Sequence, residues 1–64
     1  MNTNYKDKNG NDILVGMQLI NSDGVKFKCG HTRVKNEWDA FWLLSEDKRL
    51  NLGIGASKDM ITLN

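Results

Sequence analysis

The alternation of apolar and polar residues is clearest over residues 25–35. Apolar residues occupy every second position before Gly30, which is the two-residue period of a half-buried strand. The alternation changes phase at Gly30, where we expect a bulge or a kink. The pattern predicts one long bent strand with the following inner face: Val25, Phe27, Cys29, Thr32 and Val34.

Four shorter apolar segments separated by turn residues complete the pattern: 17–21, 41–45, 50–54 and 60–63. The charged residues 46–49 join two of these segments into a hairpin, and residues 56–59 are expected to form one 3₁₀ turn. Residues 1–8 are polar, so we predict a flexible N-terminus there and a single domain over residues 9–64. Five short strands in this order predict a small all-β barrel.

Residues 36–47 also fit a helix, because Asn36 is a suitable N-cap with Asp39 three residues later. Four residues have the spacing of one helical face: Trp38, Phe41, Trp42 and Ser45. The alternative to the barrel is therefore a β-rich α+β fold with one helix around residues 37–48. The charged turn at residues 46–49 and the strand-like residues 50–54 favour the hairpin.

The strand order is similar to that of SH3-like barrels, in which a 3₁₀ turn precedes the last strand. Residues 7–19 resemble the opening of YopX-type proteins and related small phage-encoded barrels, with the pattern Asp-x-Asn-Gly-x-x-Ile-x-x-Gly-Asp-x-Val. Five positions match that pattern: Asp7, Asn9, Gly10, Ile13 and Gly16. Met17 stands where the family has Asp, and Leu19 replaces Val. The resemblance implies a phage, prophage or mobile-element protein that acts in a bacterial cytoplasm.

The composition limits the range of functions. A chain of 64 residues is one domain with a thin core, which leaves no room for the deep pocket of a small-molecule substrate. The formal net charge of +1 gives no global attraction to nucleic acid or to a membrane. One cysteine, no signal-like N-terminus and no apolar run longer than residues 40–44 predict a cytoplasmic protein without a membrane segment.

No residue pattern supports catalysis, a metal or a cofactor. Three residues have the spacing of the first ligands of an EF-hand loop: Asp7, Asn9 and Asn11. That loop also needs a Gly and a Glu, and Asp12 and Gln18 occupy those positions. Cys29 and His31 supply only two of the four ligands of a structural zinc site, and a thiol on an apolar face is a poor nucleophile. We therefore predict a protein that is not an enzyme.

Two candidate binding surfaces remain. With a kink at Gly30, five basic residues would share one side of the long strand and could contact nucleic acid: Lys26, Lys28, His31, Arg33 and Lys35. The segment 38–44 holds more large apolar side chains than a small barrel buries, and four of them are candidates for a protein interface: Trp38, Phe41, Trp42 and Leu43. We predict a protein-interaction module that binds a partner protein or a second copy of itself, with a nucleic-acid-binding barrel as the alternative.

Overall fold

The computed structural model of this chain describes residues 1–63, which form seven strands and one 3₁₀ helix. The elements follow one another in this order: β1 Asn2–Lys6, β2 Asp12–Leu14, β3 Gln18–Ile20, β4 Lys26–Val34, β5 Trp38–Ser45, β6 Asn51–Gly53, the 3₁₀ helix Ile54–Asp59 and β7 Ile61–Leu63. Asn64, the last residue of the predicted domain 9–64, lies outside the described residues.

The main sheet is antiparallel and has the strand order β6-β5-β4-β3-β7. It curls into a half-barrel, and β1 and β2 form a separate two-stranded sheet. The prediction of an all-β fold is confirmed, as are the β5–β6 hairpin and a 3₁₀ segment before the last strand. The alternative prediction, a helix around residues 37–48, is wrong, because all eight residues of β5 pair with β4.

The β4–β5 pairing runs without interruption from Phe27 opposite Ser45 to Val34 opposite Trp38. The predicted bulge at Gly30 is therefore wrong. Gly30 lies opposite Trp42, and a Cβ atom at Gly30 would overlap the Trp42 ring. The glycine makes room for an indole and leaves the phase of the strand unchanged.

This register corrects three of the five residues predicted on the inner face of β4. Phe27 and Cys29 are buried as expected. Thr32 and Val34 share the opposite face with Gly30, because side chains alternate along an unbroken strand. Val25 precedes β4 and is exposed.

The core lies on the concave face of the half-barrel. Its buried apolar residues come from the sheet, from β2 and from the segment around the 3₁₀ helix: Ile13, Leu19, Phe27, Cys29, Leu43, Ile54 and Met60. Phe41, Leu52 and Ala56 pack around them and are partly buried. The structure places Phe41 and Leu43 on the core side of β5 and Trp42 on its outer side.

The N-terminal segment differs from the expected flexible tail. β1 pairs with β2, and Thr3 is buried and donates its hydroxyl hydrogen to the Ile13 carbonyl at 2.7 Å. Asp7 is only 5% exposed and accepts hydrogen bonds from both the backbone and the hydroxyl of Thr62. Polar side chains thus link this segment to the rest of the fold, and such contacts leave no apolar pattern in the sequence.

Candidate interaction surface

The β4–β5 hairpin extends beyond the strands that flank it. β3 pairs only with Lys26–Lys28 of β4, and β6 pairs only with Trp42–Leu44 of β5. Residues 30–41 therefore form a two-stranded ribbon with a single pairing, the one between β4 and β5. We call this segment the ribbon, and its two faces carry different chemistry.

A tight turn closes the ribbon. Lys35 and Asn36 have φ angles of 52° and 56°, and the Glu37 amide donates to the Val34 carbonyl at 2.9 Å. Two consecutive positive φ angles are typical of a type I′ turn, whose twist matches that of the flanking strands. Asn tolerates this conformation well, whereas Lys carries a steric cost there. The turn therefore places local backbone strain at Lys35.

The outer face of the ribbon is aromatic and apolar. The Trp42 indole nitrogen donates to the Thr32 hydroxyl at 3.0 Å, and its ring lies over Gly30. Trp38 is opposite Val34 on the same side and is 55% exposed. We define the aromatic face by the apolar side chains on this side of the β4–β5 hairpin, which Gly30 and Thr32 share: Val34, Trp38, Ala40 and Trp42. The aromatic face thus presents the fixed indole of Trp42 and the solvent-exposed indole of Trp38.

The concave face of the ribbon carries an ionic cluster. The Asp39 carboxylate accepts hydrogen bonds from His31 Nε2 at 2.8 Å and from Arg33 at 3.3 Å. The His31 ring also lies 5.5 Å from the Phe41 ring, measured between centroids. The hydrogen bond from His31, with the charge of Arg33, holds the pKa of Asp39 below its usual range. This cluster ties the two strands together on the face opposite the tryptophans.

The four residues predicted for a protein interface lie in three different environments. Trp38 and Trp42 share the aromatic face. Phe41 is partly buried on the concave side against the core. Leu43 is 0% exposed and belongs to the core. Its position opposite Cys29 on the core side explains the burial.

The five residues predicted for nucleic-acid contact do not form one stripe. The register puts Lys26 and Lys28 on the outer side of β4, and His31 and Arg33 on the concave side. Both concave residues are engaged by Asp39, and Lys35 lies in the turn. The separation follows from the absence of a bulge at Gly30, since only a change of phase would have brought the two groups together.

The polar residues considered for a metal or for catalysis serve the fold. Asp7 accepts the backbone amides of Asn9 and Asn11 at 2.9 and 2.8 Å, so the EF-hand-like spacing forms a turn. Burial raises the pKa of the Cys29 thiol, which makes it less reactive. Within residues 1–63, no group of three or more His, Cys, Asp or Glu side chains is placed to hold a metal ion.

An open cleft lies between residues 14–17 and the outer side of β3 and β4. Its lining includes Lys28, Gln18 and Leu63 together with that loop. The described part of the chain has no helix that is long and apolar enough to cross a membrane.

The fold places the chain in the class of small all-β half-barrels, here with a projecting ribbon. Comparisons of the chain with protein-family models, with curated proteins and with solved structures find no match.

Proposed function

We propose that this chain is a non-catalytic protein-interaction module that binds its partner through the aromatic face. The observation that carries the proposal is the 55% exposure of Trp38 on a part of the hairpin that neither β3 nor β6 supports. Burial of apolar surface is worth about 25 cal/mol per Å², so covering this indole is a substantial gain for a partner. Tryptophan is also among the residues that most often dominate binding at protein interfaces.

The aromatic face is well organised for binding before a partner arrives. The hydrogen bond to Thr32 and the contact with Gly30 fix Trp42, so its side chain has little freedom left to lose. The unbroken β4–β5 ladder and the Asp39 cluster hold the ribbon itself. A surface that is already ordered loses less conformational entropy on association, and this favours affinity.

A protein partner is better supported than nucleic acid. The basic side chains lie on both sides of β4 and in the turn, and Arg33 and His31 already contact a carboxylate. Binding along a phosphate backbone needs several free cations on one surface. The residues of the aromatic face, in contrast, all lie on one side of two paired strands.

We further propose that the half-barrel is of the SH3-like type and that the protein comes from a phage or prophage and acts in a bacterial cytoplasm. The support is the 3₁₀ helix directly before the last strand, together with the pattern of residues 7–19. The genes that surround this one would test the proposed origin. A setting among housekeeping genes, with no phage or mobile-element gene nearby, would contradict it.

The functional proposal is tested by differential capture from a bacterial lysate with three immobilised proteins: wild type, Trp38→Ser and Leu50→Ser. Leu50 is a matched control, because it is 49% exposed and lies outside the ribbon. A protein retained by the wild type and by Leu50→Ser would be purified and its affinity for all three measured by calorimetry. We expect Trp38→Ser to weaken binding by roughly 30-fold, the effect of removing a hot-spot residue. Equal affinities for the three proteins would contradict the proposal.

A further inference from the structure

Half of β5 lacks a neighbouring strand on the side that faces away from β4. β6 pairs with Trp42–Leu44 only, and the chain then turns into the 3₁₀ helix at Ile54. Residues 38–41 of β5 therefore form an open edge of the main sheet. We call these four residues the β5 edge.

The hydrogen-bond pattern shows which groups of the β5 edge point outward. The Glu46 amide donates to the Lys26 carbonyl at 2.9 Å, which fixes the alternate residues of β5 that bond to β4. The alternation of an antiparallel pair then directs the backbone N–H and C=O groups of Asp39 and Phe41 away from β4. Unpaired backbone groups of this kind form a template for an added strand.

The open edge of β4 is protected in a way that the β5 edge is not. Proteins usually block open edges with lysine, proline, a bulge or a charge. The open edge of β4 is followed in the turn by Lys35, a lysine of the kind that blocks an edge, whereas the charge of Arg33 on that edge is paired with Asp39. The β5 edge reads Trp-Asp-Ala-Phe, has an unbroken register, and its single charge is already paired with His31 and Arg33.

We propose that the β5 edge pairs antiparallel with the β5 edge of a second copy of this chain, across a two-fold axis at Asp39. The inference rests on the proposed function, in which the ribbon is the binding surface. In this register Trp38 of each copy lies opposite Ala40 of the other, so a large side chain meets a small one twice on the aromatic face. Self-complementarity of this kind is what a two-fold interface requires.

The geometry selects this register over its neighbour. Pairing centred on Ala40 would bring Trp38 of the second copy opposite Trp42, where Gly53 of β6 already lies. Pairing centred on Asp39 stops before that position and leaves β6 in place. The two Asp39 carboxylates then come close to each other, and the two Arg33 side chains supply the opposite charge.

The interface is small, so the dimer is expected to be weak. An edge of this length buries less than the roughly 1,000 Å² of a stable interface. A dissociation constant on the order of 0.1 mM follows for an association of this kind. The measurement must therefore compare dilute and concentrated protein.

Amide hydrogen exchange measured by NMR in dilute and hundredfold more concentrated wild-type protein tests the inference. We expect exchange at the Asp39 and Phe41 amides to slow by about tenfold in the concentrated sample, because those hydrogens become bonded across the dimer. The amides of His31 and Arg33, which point outward from β4, are the internal control and should not change. Exchange that is independent of concentration, or slowing at His31 and Arg33 instead, would overturn the inference.

Two variants show whether dimerisation depends on the backbone N–H of Asp39 or on its carboxylate. Asp39→Pro removes the outward N–H, which proline tolerates at an edge, whereas Asp39→Ala keeps the N–H and removes the charge. With both folds verified by NMR, we expect concentrated Asp39→Ala to sediment partly as a dimer and Asp39→Pro to remain a monomer. Equal association of the two would refute pairing through the edge. If neither variant nor the wild type associates while Trp38→Ser still loses its captured protein, the second-copy inference fails and the proposed function stands.

Discussion

Replacing Asp7 by alanine removes the acceptor of five hydrogen bonds, three within the turn at residues 7–11 and two from Thr62 of β7. One carboxylate oxygen accepts the amides of Asn9 and Asn11 at 2.9 and 2.8 Å. The other accepts the Thr62 amide and hydroxyl, both at 2.9 Å, and the Asn11 side-chain amide at 3.3 Å. Because Asp7 is only 5% exposed, water has little access to the donors that would be left unpaired.

The magnitude follows from the number of donors. An unpaired buried donor costs at least about 1 kcal/mol, so five of them cost about 5 kcal/mol before water recovers part of the loss. We therefore expect Asp7→Ala to lower the free energy of unfolding by about 3–5 kcal/mol. A domain of this size has a total stability of about 3–10 kcal/mol, so the variant should be close to unfolded at room temperature. Asp7→Asn keeps one acceptor oxygen but turns an amide towards Thr62, and a loss of about 2 kcal/mol is expected.

Urea unfolding followed by tryptophan fluorescence measures these differences. Asp23→Ala is the matched control, because Asp23 lies exposed in a turn and should change stability by less than about 0.5 kcal/mol. Should Asp7→Ala unfold within about 1 kcal/mol of the wild type, the assignment of Asp7 as the polar link between the two ends of the chain would be refuted.

The same carboxylate predicts the acid sensitivity of the fold. Burial alone would raise the pKa of Asp7, but hydrogen bonds from Thr62 and Asn11 outweigh burial and hold the pKa well below its usual range. The unfolded chain then binds the proton more tightly, so this stabilisation is complete above the unfolded pKa of about 4 and is lost as the pH falls below it. The pKa values of Asp39 and Asp47 are lowered too. Asp7→Asn should therefore lose less of its free energy of unfolding in acid than the wild type does, but it should still lose some. A pH profile identical to that of the wild type would contradict this explanation.

Three further predictions test the ribbon. Gly30→Ala should lower the free energy of unfolding by about 1–3 kcal/mol and shift the fluorescence of Trp42, because the new methyl group displaces the indole. A variant with the stability and the emission of the wild type would contradict that packing. Lys35→Asn should raise the free energy of unfolding by about 0.5–1 kcal/mol, because asparagine tolerates the positive φ at this position better than lysine does. The control Lys35→Ala should give no gain, and equal effects of the two variants would exclude turn strain as the cause. In an electrophoretic mobility-shift assay at several salt concentrations, we expect the wild-type protein not to retard oligonucleotides. Retardation by the wild type that a Lys28→Glu/Arg33→Glu double variant abolishes would support a basic surface that binds nucleic acid.

The sequence predicts the strands wherever their two faces differ in environment. Phe27 and Cys29 alternate with lysines because β4 covers the core there, and the alternation identifies both the strand and its buried side. Thr32 and Val34 lie on the outer face, away from the core, so no selection for burial acts on them. The change of phase in the sequence pattern at those residues therefore does not correspond to a bulge or kink in β4.

Two other features depend on long-range pairing that a local pattern does not show. β1 is held by backbone pairing with β2 and by the buried hydroxyl of Thr3, and neither produces an apolar signal. The contact between Gly30 and Trp42 appears only once the β4–β5 register is known. The predicted interface residues include both the exposed Trp38 and the buried Leu43. Every residue of the run 40–44 is apolar, so the run has no alternation that would separate outer from inner positions.

Photocrosslinking in living bacteria tests the proposed binding surface most directly. A photoreactive phenylalanine analogue would replace Trp38 in one sample and Leu50 in a second, both sites being large, apolar and about half exposed. We expect a discrete adduct of one mass with the residue at position 38 and none with the residue at position 50. Identical adducts at both positions, or none at position 38, would contradict the claim that the aromatic face binds a protein.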